Sequence, residues 1–183
     1  MKLSNIFQYL KKINNSKISL VVVYLIIGIT FFAALMYYTF NLSTGYMPSL
    51  DSLKQQLKID LDDLNFQTQS DIYYIYRKSF RGYYLEMYGK ICLTDIKKLL
   101  EDKSLHISRE PLALVRPTEN LPDNVLTQVG LLAKSPEHRL YSLGDNQSDS
   151  IIIFTRHNRR YLLKMTLNEK TGGFIINTQK PPR

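Results

Sequence analysis

The sequence ISLVVVYLIIGITFFAALMYYTF, residues 18–40, spans 23 positions without an Asp, Glu, Lys or Arg side chain. A helix of this length reaches about 34 Å at roughly 1.5 Å per residue, and the hydrocarbon core of a bilayer is about 30 Å thick. The stretch therefore predicts one transmembrane helix over Ile18–Phe40, surrounded by membrane lipid. Because it contains no ionisable side chain, we interpret it as an anchor and not as an ion path.

The charges on either side of this helix predict its direction across the membrane. Residues 1–17 carry four lysines and no acidic residue, whereas the segment after Phe40 is sparsely charged. Flanks rich in lysine remain in the cytoplasm. We therefore expect a single-pass protein of the cell inner membrane with a cytoplasmic N-terminus. A cleaved signal peptide is the alternative, since Ser43 and Gly45 form a small-x-small pattern, but its apolar region is only about 7–15 residues long.

Four segments follow from this organisation. Residues 1–17 are predicted to form a cytoplasmic amphipathic segment, in which apolar side chains recur at helical spacing, and the alternative is a short cytoplasmic stub without specific contacts. Residues 18–40 form the transmembrane helix, and residues 41–49 form a polar stalk. Residues 50–183 form an external domain, periplasmic or extracellular, with enough apolar residues for one core.

Composition restricts the partners and the covalent chemistry of the external domain. Beyond the N-terminal lysines, 20 Lys and Arg against 16 Asp and Glu leave a net charge of +4, which is too mild to indicate nucleic-acid binding. Cys92 is the only cysteine, so the domain has no internal disulfide. We expect Cys92 to be a small buried residue, and the alternative is an intermolecular disulfide.

The first half of the external domain predicts a helix and a hairpin. Leucines at helical spacing behind a Ser49 N-cap predict a helix over Leu50–Leu61. Six of the 13 tyrosines lie between Tyr73 and Tyr88, and they favour two strands, Ile72–Arg77 and Tyr83–Ile91. A helix is the alternative there, although its glycines would weaken it by about 1 kcal/mol each.

The tyrosine hairpin also supplies candidate binding residues. Tyr84, Glu86, Tyr88 and Lys90 share one strand face of mixed chemistry, which we expect to face solvent. Tyr84 and Tyr88 are candidate binding residues on that face, because tyrosine combines a rigid contact area with a hydrogen-bonding tip. The alternative is ordinary packing of a half-buried sheet.

The second half of the domain predicts mainly strands. Thr94 is the expected cap of a short helix with an apolar stripe, and Ser104–Ser135 is expected to be irregular except for a strand at Leu112–Val115. An antiparallel meander follows, with its last turn at Asn168–Gly173. Its four strands are predicted at Arg139–Leu143, Ile151–Arg156, Tyr161–Leu167 and Phe174–Thr178. The pattern predicts an α+β fold with helices on one face of an antiparallel sheet.

No linear motif indicates catalysis, a metal or a cofactor. The three histidines lack HExxH spacing, one cysteine cannot form a zinc cluster, and no GxSxG, GxxxxGK or GxGxxG occurs. The acidic cluster of Asp60, Asp62 and Asp63 lacks the alternating ligands of a calcium loop. A carboxylate pair from distant positions would leave no such motif, so a periplasmic enzyme remains an alternative.

The most concentrated charge lies in the predicted hairpin between the second and third strands of the meander. The candidate binding residues there are Arg156, His157, Arg159, Arg160 and Lys164. Guanidinium groups bind phosphate or carboxylate in a bidentate manner, so this tip suits an acidic partner. The alternative is a solvated hairpin end, where charge also discourages aggregation.

These features favour a membrane-anchored, non-catalytic binding protein that acts on a protein partner at the outer membrane face. It would be an accessory subunit of an envelope complex, or an inhibitory or immunity-type protein. A sensor or regulator is the alternative, and since residues 1–17 are too few to signal alone, it would need lateral membrane partners.

Overall fold

The computed structural model describes residues 16–39, 41–59, 61, 64–79, 82–144, 150–157 and 161–179. The chain divides into two compact units, residues 1–40 and residues 41–183. In the first unit, helix α1 covers Ser16–Thr39, and the side chains of residues 22–36 are exposed. Within the described residues, no helix combines the length and the hydropathy that a membrane crossing requires. Most of the predicted amphipathic segment, residues 1–15, lies outside the described residues.

In its described part, the second unit contains three α-helices and ten strands. The helices are α2 Leu50–Leu57, α3 Leu93–Glu101 and α4 Asp123–Val129. The strands are β1 Asn41–Met47, β2 Ile72–Ser79, β3 Gly82–Lys90, β4 His106–Glu110, β5 Ala113–Val115, β6 Leu131–Ser135, β7 Leu140–Leu143, β8 Ile151–His157, β9 Leu162–Asn168 and β10 Gly173–Gln179. The predicted α+β class is confirmed.

The strands form two antiparallel sheets. The large sheet has the order β1-β2-β3-β10-β9-β8-β4, and the small sheet has the order β5-β7-β6. Strands β2 and β3 form the predicted tyrosine hairpin, with Tyr73 opposite Tyr88, so the helical alternative is wrong. The meander prediction is correct for β8, β9 and β10 but wrong for β7, which belongs to the small sheet.

Each face of the large sheet packs on its own hydrophobic core. Helices α2 and α3 contribute Leu53 and Ile96 to the first core, and helix α4 contributes Val125 to the second core. The prediction that all helices lie on one face is therefore wrong. Strands β8 and β10 explain this arrangement, because runs such as Ile151–Phe154 are apolar at every position and must be covered on both faces.

Helix α2 begins where the sequence predicts and ends earlier. The Ser49 hydroxyl accepts a hydrogen bond from the backbone N–H of Ser52 at 3.1 Å, which confirms the N-cap. The helix ends at Leu57 because Lys58 adopts a left-handed conformation with φ 51°. The three aspartates that follow lie outside the described residues.

Residues 41–47 are not a stalk. They form β1, which pairs with β2 from Asn41 opposite Lys78 to Met47 opposite Ile72. An edge strand needs backbone hydrogen bonds on one side only and buries little side-chain area. The polar sequence of β1 therefore resembles that of a linker, and only the backbone pairing with β2 shows that these residues form a strand.

The segment Ser104–Ser135 is more regular than predicted. The strand at Leu112–Val115 is confirmed as β5, but the segment also forms β4, β6 and helix α4. Strand β4 was not predicted because it is the other edge of the large sheet, where all five residues are exposed and no apolar alternation occurs. Helix α4 is short, and Gly130 ends it with φ 78°.

Helix α3 has the predicted apolar stripe but a different cap. Ile96 and Leu99 are buried, as expected. The helix begins at Leu93 with Cys92 in the N-cap position and without a side-chain cap, so the prediction of Thr94 as the cap is wrong. Cys92 itself is partly exposed, which corrects the expectation of a buried cysteine.

Candidate binding face

Part of the second-core face of the large sheet carries polar, solvent-accessible side chains. Across β3, β10, β9 and β8, one row contains Glu86, Asn177, Lys164 and Thr155, and the next row contains Tyr84, Gln179, Leu162 and His157 at the end of β8. Neighbouring strands lie about 4.8 Å apart, so a row extends about 10–15 Å. We call these residues, without Glu86 and His157, the polar face: Tyr84, Thr155, Leu162, Lys164, Asn177 and Gln179.

The polar face combines four kinds of contact. Lys164 and Gln179 are exposed, Leu162 is 46% exposed, and the other three side chains are half-buried. Together they offer a cation, two amides, two hydroxyls and an apolar contact, and none of the six is a carboxylate. Such a surface is suited to an acidic, polar partner.

The rest of this sheet face is covered by other parts of the domain. Tyr88 and Ile175 lie in a neighbouring row, where they are buried against Val125 and Val129 of helix α4 and against Tyr141 of β7. The polar face therefore lies immediately beside the second core. Its backbone is held by paired strands on a rigid scaffold, which is how proteins position binding residues accurately.

Glu86 lies at the boundary between the polar face and the second core. The residue is 1% exposed, and its carboxylate accepts hydrogen bonds from Tyr84 Oη at 2.7 Å and Tyr88 Oη at 2.8 Å. The backbone N–H of Thr118 donates to both carboxylate oxygens, at 3.2 and 3.3 Å. A buried carboxylate is stable only when its lone pairs are satisfied in this way.

The two tyrosines are held in the protonated state that donates these bonds. Burial raises the pKa of the Tyr84 hydroxyl well above its ordinary value, and the hydrogen bond to Glu86 raises it further. Burial also raises the pKa of Tyr88, with the negative charge of Glu86 as the second cause. The oxygen of Tyr84 additionally lies 3.3 Å from Asn177 Oδ1, so it connects Glu86 to the polar face.

Glu86, Tyr84, Tyr88 and the backbone N–H of Thr118 form what we call the Glu86 cluster. This cluster fixes the loop between β5 and α4, which we call the Thr118 loop. Besides the bond from Thr118 N–H to Glu86, the Arg139 guanidinium donates to the carbonyl oxygen of Thr118. Arg77 and Glu119 form a partly exposed ion pair with an N···O distance of 3.4 Å. The loop thereby borders the polar face, and Glu86 has a structural role there.

The predicted tyrosine face differs from the structure at its centre. Tyr84 is half-buried and belongs to the polar face, whereas Tyr88 and Glu86 are buried. The expectation that these three side chains face solvent together is wrong for Tyr88 and Glu86. The reason is the Thr118 loop and helix α4, which cover that part of the strand.

The predicted basic site is divided between the two faces of the sheet. Lys164 is opposite Thr155 on the polar face, but Arg156 is opposite Leu163 and therefore projects to the first-core face. Arg156 and Lys164 thus do not act together across β8 and β9. Strand β8 ends at His157, while residues 158–160, including Arg159 and Arg160, lie outside the described residues.

The polar residues of β10 were not predicted as binding residues. Asn177 and Gln179 follow Ile175 at alternate positions, so one strand changes from apolar to polar along a single face. This change from apolar to polar residues was the signal in the sequence that could have identified Asn177 and Gln179. It shows where the cover of the second core ends and the accessible part of the same face begins.

Among the described residues, no three His, Cys, Asp or Glu side chains lie close enough together to hold a metal ion. No protein-family model, curated protein or solved structure matches the chain.

Proposed function

We propose that the chain is a membrane-anchored, non-catalytic binding protein whose external domain holds a protein partner at the outer face of the cell inner membrane. The anchor is the uncharged stretch Ile18–Phe40, and the lysine-rich N-terminus is cytoplasmic. The polar face is the observation that carries the binding role. It supports this role because accessible hydrogen-bonding side chains lie on rigid strands beside a closed core.

The charges of the domain favour an acidic partner. Lys164 is exposed at the centre of the polar face, and the nearby carboxylate of Glu86 is buried and engaged by three donors. An acidic side chain of the partner would meet Lys164 together with the amides of Asn177 and Gln179. The sequence between β8 and β9 contains Arg159 and Arg160, two further positive charges that lie outside the described residues.

The partner belongs to one of two classes. A membrane protein would make this chain an accessory subunit of an envelope complex. A soluble exported protein would make it an inhibitory or immunity-type protein that captures its target at the membrane. The same polar face serves either role, so the identity of the partner decides between them.

The test is chemical cross-linking of the intact chain in its native membrane, followed by solubilisation in mild detergent and identification of the cross-linked partner. Lys164→Glu should reduce the recovery of that partner at least about tenfold, because it places a like charge in the interface. Lys97→Glu, on the exposed side of α3, is the matched control and should recover the partner normally.

A stoichiometric partner that Lys164→Glu loses and Lys97→Glu retains supports the proposal. Equal recovery from both variants would contradict the polar face as the binding surface. The double variant Arg159→Glu with Arg160→Glu tests these two further charges separately, and normal recovery from it would restrict the interface to the strands.

A further inference from the structure

The small sheet has an outer face with two exposed leucines. Leu114 of β5 and Leu132 of β6 are both opposite Ser142 of β7, one on each side. Leu114 is 63% exposed and Leu132 is 47% exposed, whereas Ser142 is completely buried. The opposite face of the same strands packs into the second core through Ala113 and Leu143. The leucine pair is therefore not needed to close that core.

Two cations lie at one end of this leucine pair. Both β5 and β6 run antiparallel to β7, so they run parallel to each other. Arg116 comes one residue after the end of β5, and Lys134 lies where the register of β6 on β7 shifts between Ala133 and Ser135. Each cation follows its leucine by two residues, so both lie at the same end of the small sheet. Both are exposed, and neither forms an ion pair within the described residues.

We propose that this outer face of the small sheet, with Leu114 and Leu132 on it and Arg116 and Lys134 at one end of it, rests on the surface of a bilayer that contains anionic phospholipid. Leucines inserted at the headgroup boundary and cations beside anionic lipid are the two contributions by which peripheral surfaces bind membranes. Lys and Arg also suit this depth, since their long stems let the charge reach the headgroups.

This inference rests on the proposed membrane anchor, which would hold the domain next to a bilayer at all times. A weak lipid contact is sufficient for a domain held in this way, because tethering raises its effective concentration at the membrane. The polar face belongs to the large sheet and is a separate surface.

The experiment uses the full chain in nanodiscs made of phosphatidylcholine alone or of phosphatidylcholine and phosphatidylglycerol in equal parts. In a Cys92→Ser background, Leu132→Cys carries a small environment-sensitive fluorophore, and lipid-attached nitroxides act as quenchers. Lys97→Cys on α3 carries the same fluorophore as the matched control. Arg116→Glu with Lys134→Glu is tested in the Leu132→Cys chain.

In the anionic discs we expect a blue-shifted emission and strong quenching at position 132, but not at position 97. Reversal of both cations should lower the quenched population at least roughly tenfold. If the fluorophore at position 132 remains in water in both lipid mixtures, the inference is overturned. A blue shift without quenching in both mixtures would also overturn it, since that result means a second copy or another protein covers the leucines.

The same samples also show whether the chain remains anchored in the nanodiscs. If the chain stays with the discs while position 132 remains in water, the lipid-facing surface is wrong and the anchor stands. If the chain separates from the discs, the proposed anchor itself fails, and the inference fails with it.

Discussion

Glu86 connects the core, the Thr118 loop and the polar face through one carboxylate. Removing a charged carboxylate from water is costly unless donors replace the lost hydration. Here two tyrosine hydroxyls and one backbone N–H provide those donors. Hydrogen bonds to a charged group contribute about 1.5–3 kcal/mol each, so the cluster is a concentrated source of local stability.

Glu86→Gln should destabilise the domain by about 1–3 kcal/mol, because the amide offers only one acceptor oxygen in place of two. Denaturant-induced unfolding of the purified chain, followed by tyrosine fluorescence, measures the change. Glu101→Gln, at an exposed position of α3, should change the stability by less than about 0.5 kcal/mol. Equal stability of the two variants would mean that the Glu86 cluster does not hold the loop.

The same residue shows the limit of prediction from sequence at this scale. Alternation correctly placed Tyr84, Glu86 and Tyr88 on one side of β3. Their burial was not predictable, because it depends on Thr118, which lies 32 residues from Glu86 in the chain. Lys164 was predicted as a binding residue, and its separation from Arg156 required the register of β8 and β9.

At the scale of elements, strands buried on both faces were easier to predict than strands at an edge. Strands β8, β9 and β10 carry strong apolar signals, and their predicted positions are correct within about two residues. Strands β1 and β4 lie at the two edges of the large sheet and have polar or fully exposed sequences. Edge strands depend on a neighbour's backbone, which no local pattern records.

Gly173 tests how closely helix α4 packs against the large sheet. A Cβ atom at this position would lie 2.0 Å from the carbonyl oxygen of Val129, the last residue of α4. Gly173→Ala should therefore cost more than about 2 kcal/mol, since backbone must move to relieve the overlap.

Gly130→Ala is the control for this variant. Gly130 has a φ of 78° but open space around its Cα, so the substitution costs only the backbone strain, about 1 kcal/mol. Gly173→Ala should therefore lower the free energy of unfolding more than Gly130→Ala does. A Gly173→Ala variant as stable as Gly130→Ala would show that α4 does not approach β10 this closely.

At the scale of the whole molecule, the α+β class followed from composition and pattern, whereas the order of the strands did not. The large sheet places β10 beside β3 and β4 beside β8. These pairings join residues far apart in sequence, and they decide which side chains share a surface. The polar face crosses β3, β10, β9 and β8, so the sheet order had to be known before it was identified.

The proposed membrane anchor is the central claim about the whole molecule, and it predicts that the second unit, residues 41–183, lies on the outer side of the membrane. Sided labelling in right-side-out spheroplasts tests it most directly, using a membrane-impermeant maleimide. Lys97→Cys in a Cys92→Ser chain reports on the second unit, and Ser4→Cys in the same background reports on the N-terminus.

We predict that position 97 reacts in intact spheroplasts and that position 4 reacts only after lysis. We also predict that the chain remains in the membrane pellet after alkaline carbonate extraction. Release of the chain into the carbonate supernatant, or reaction of position 97 only after lysis, would contradict the account.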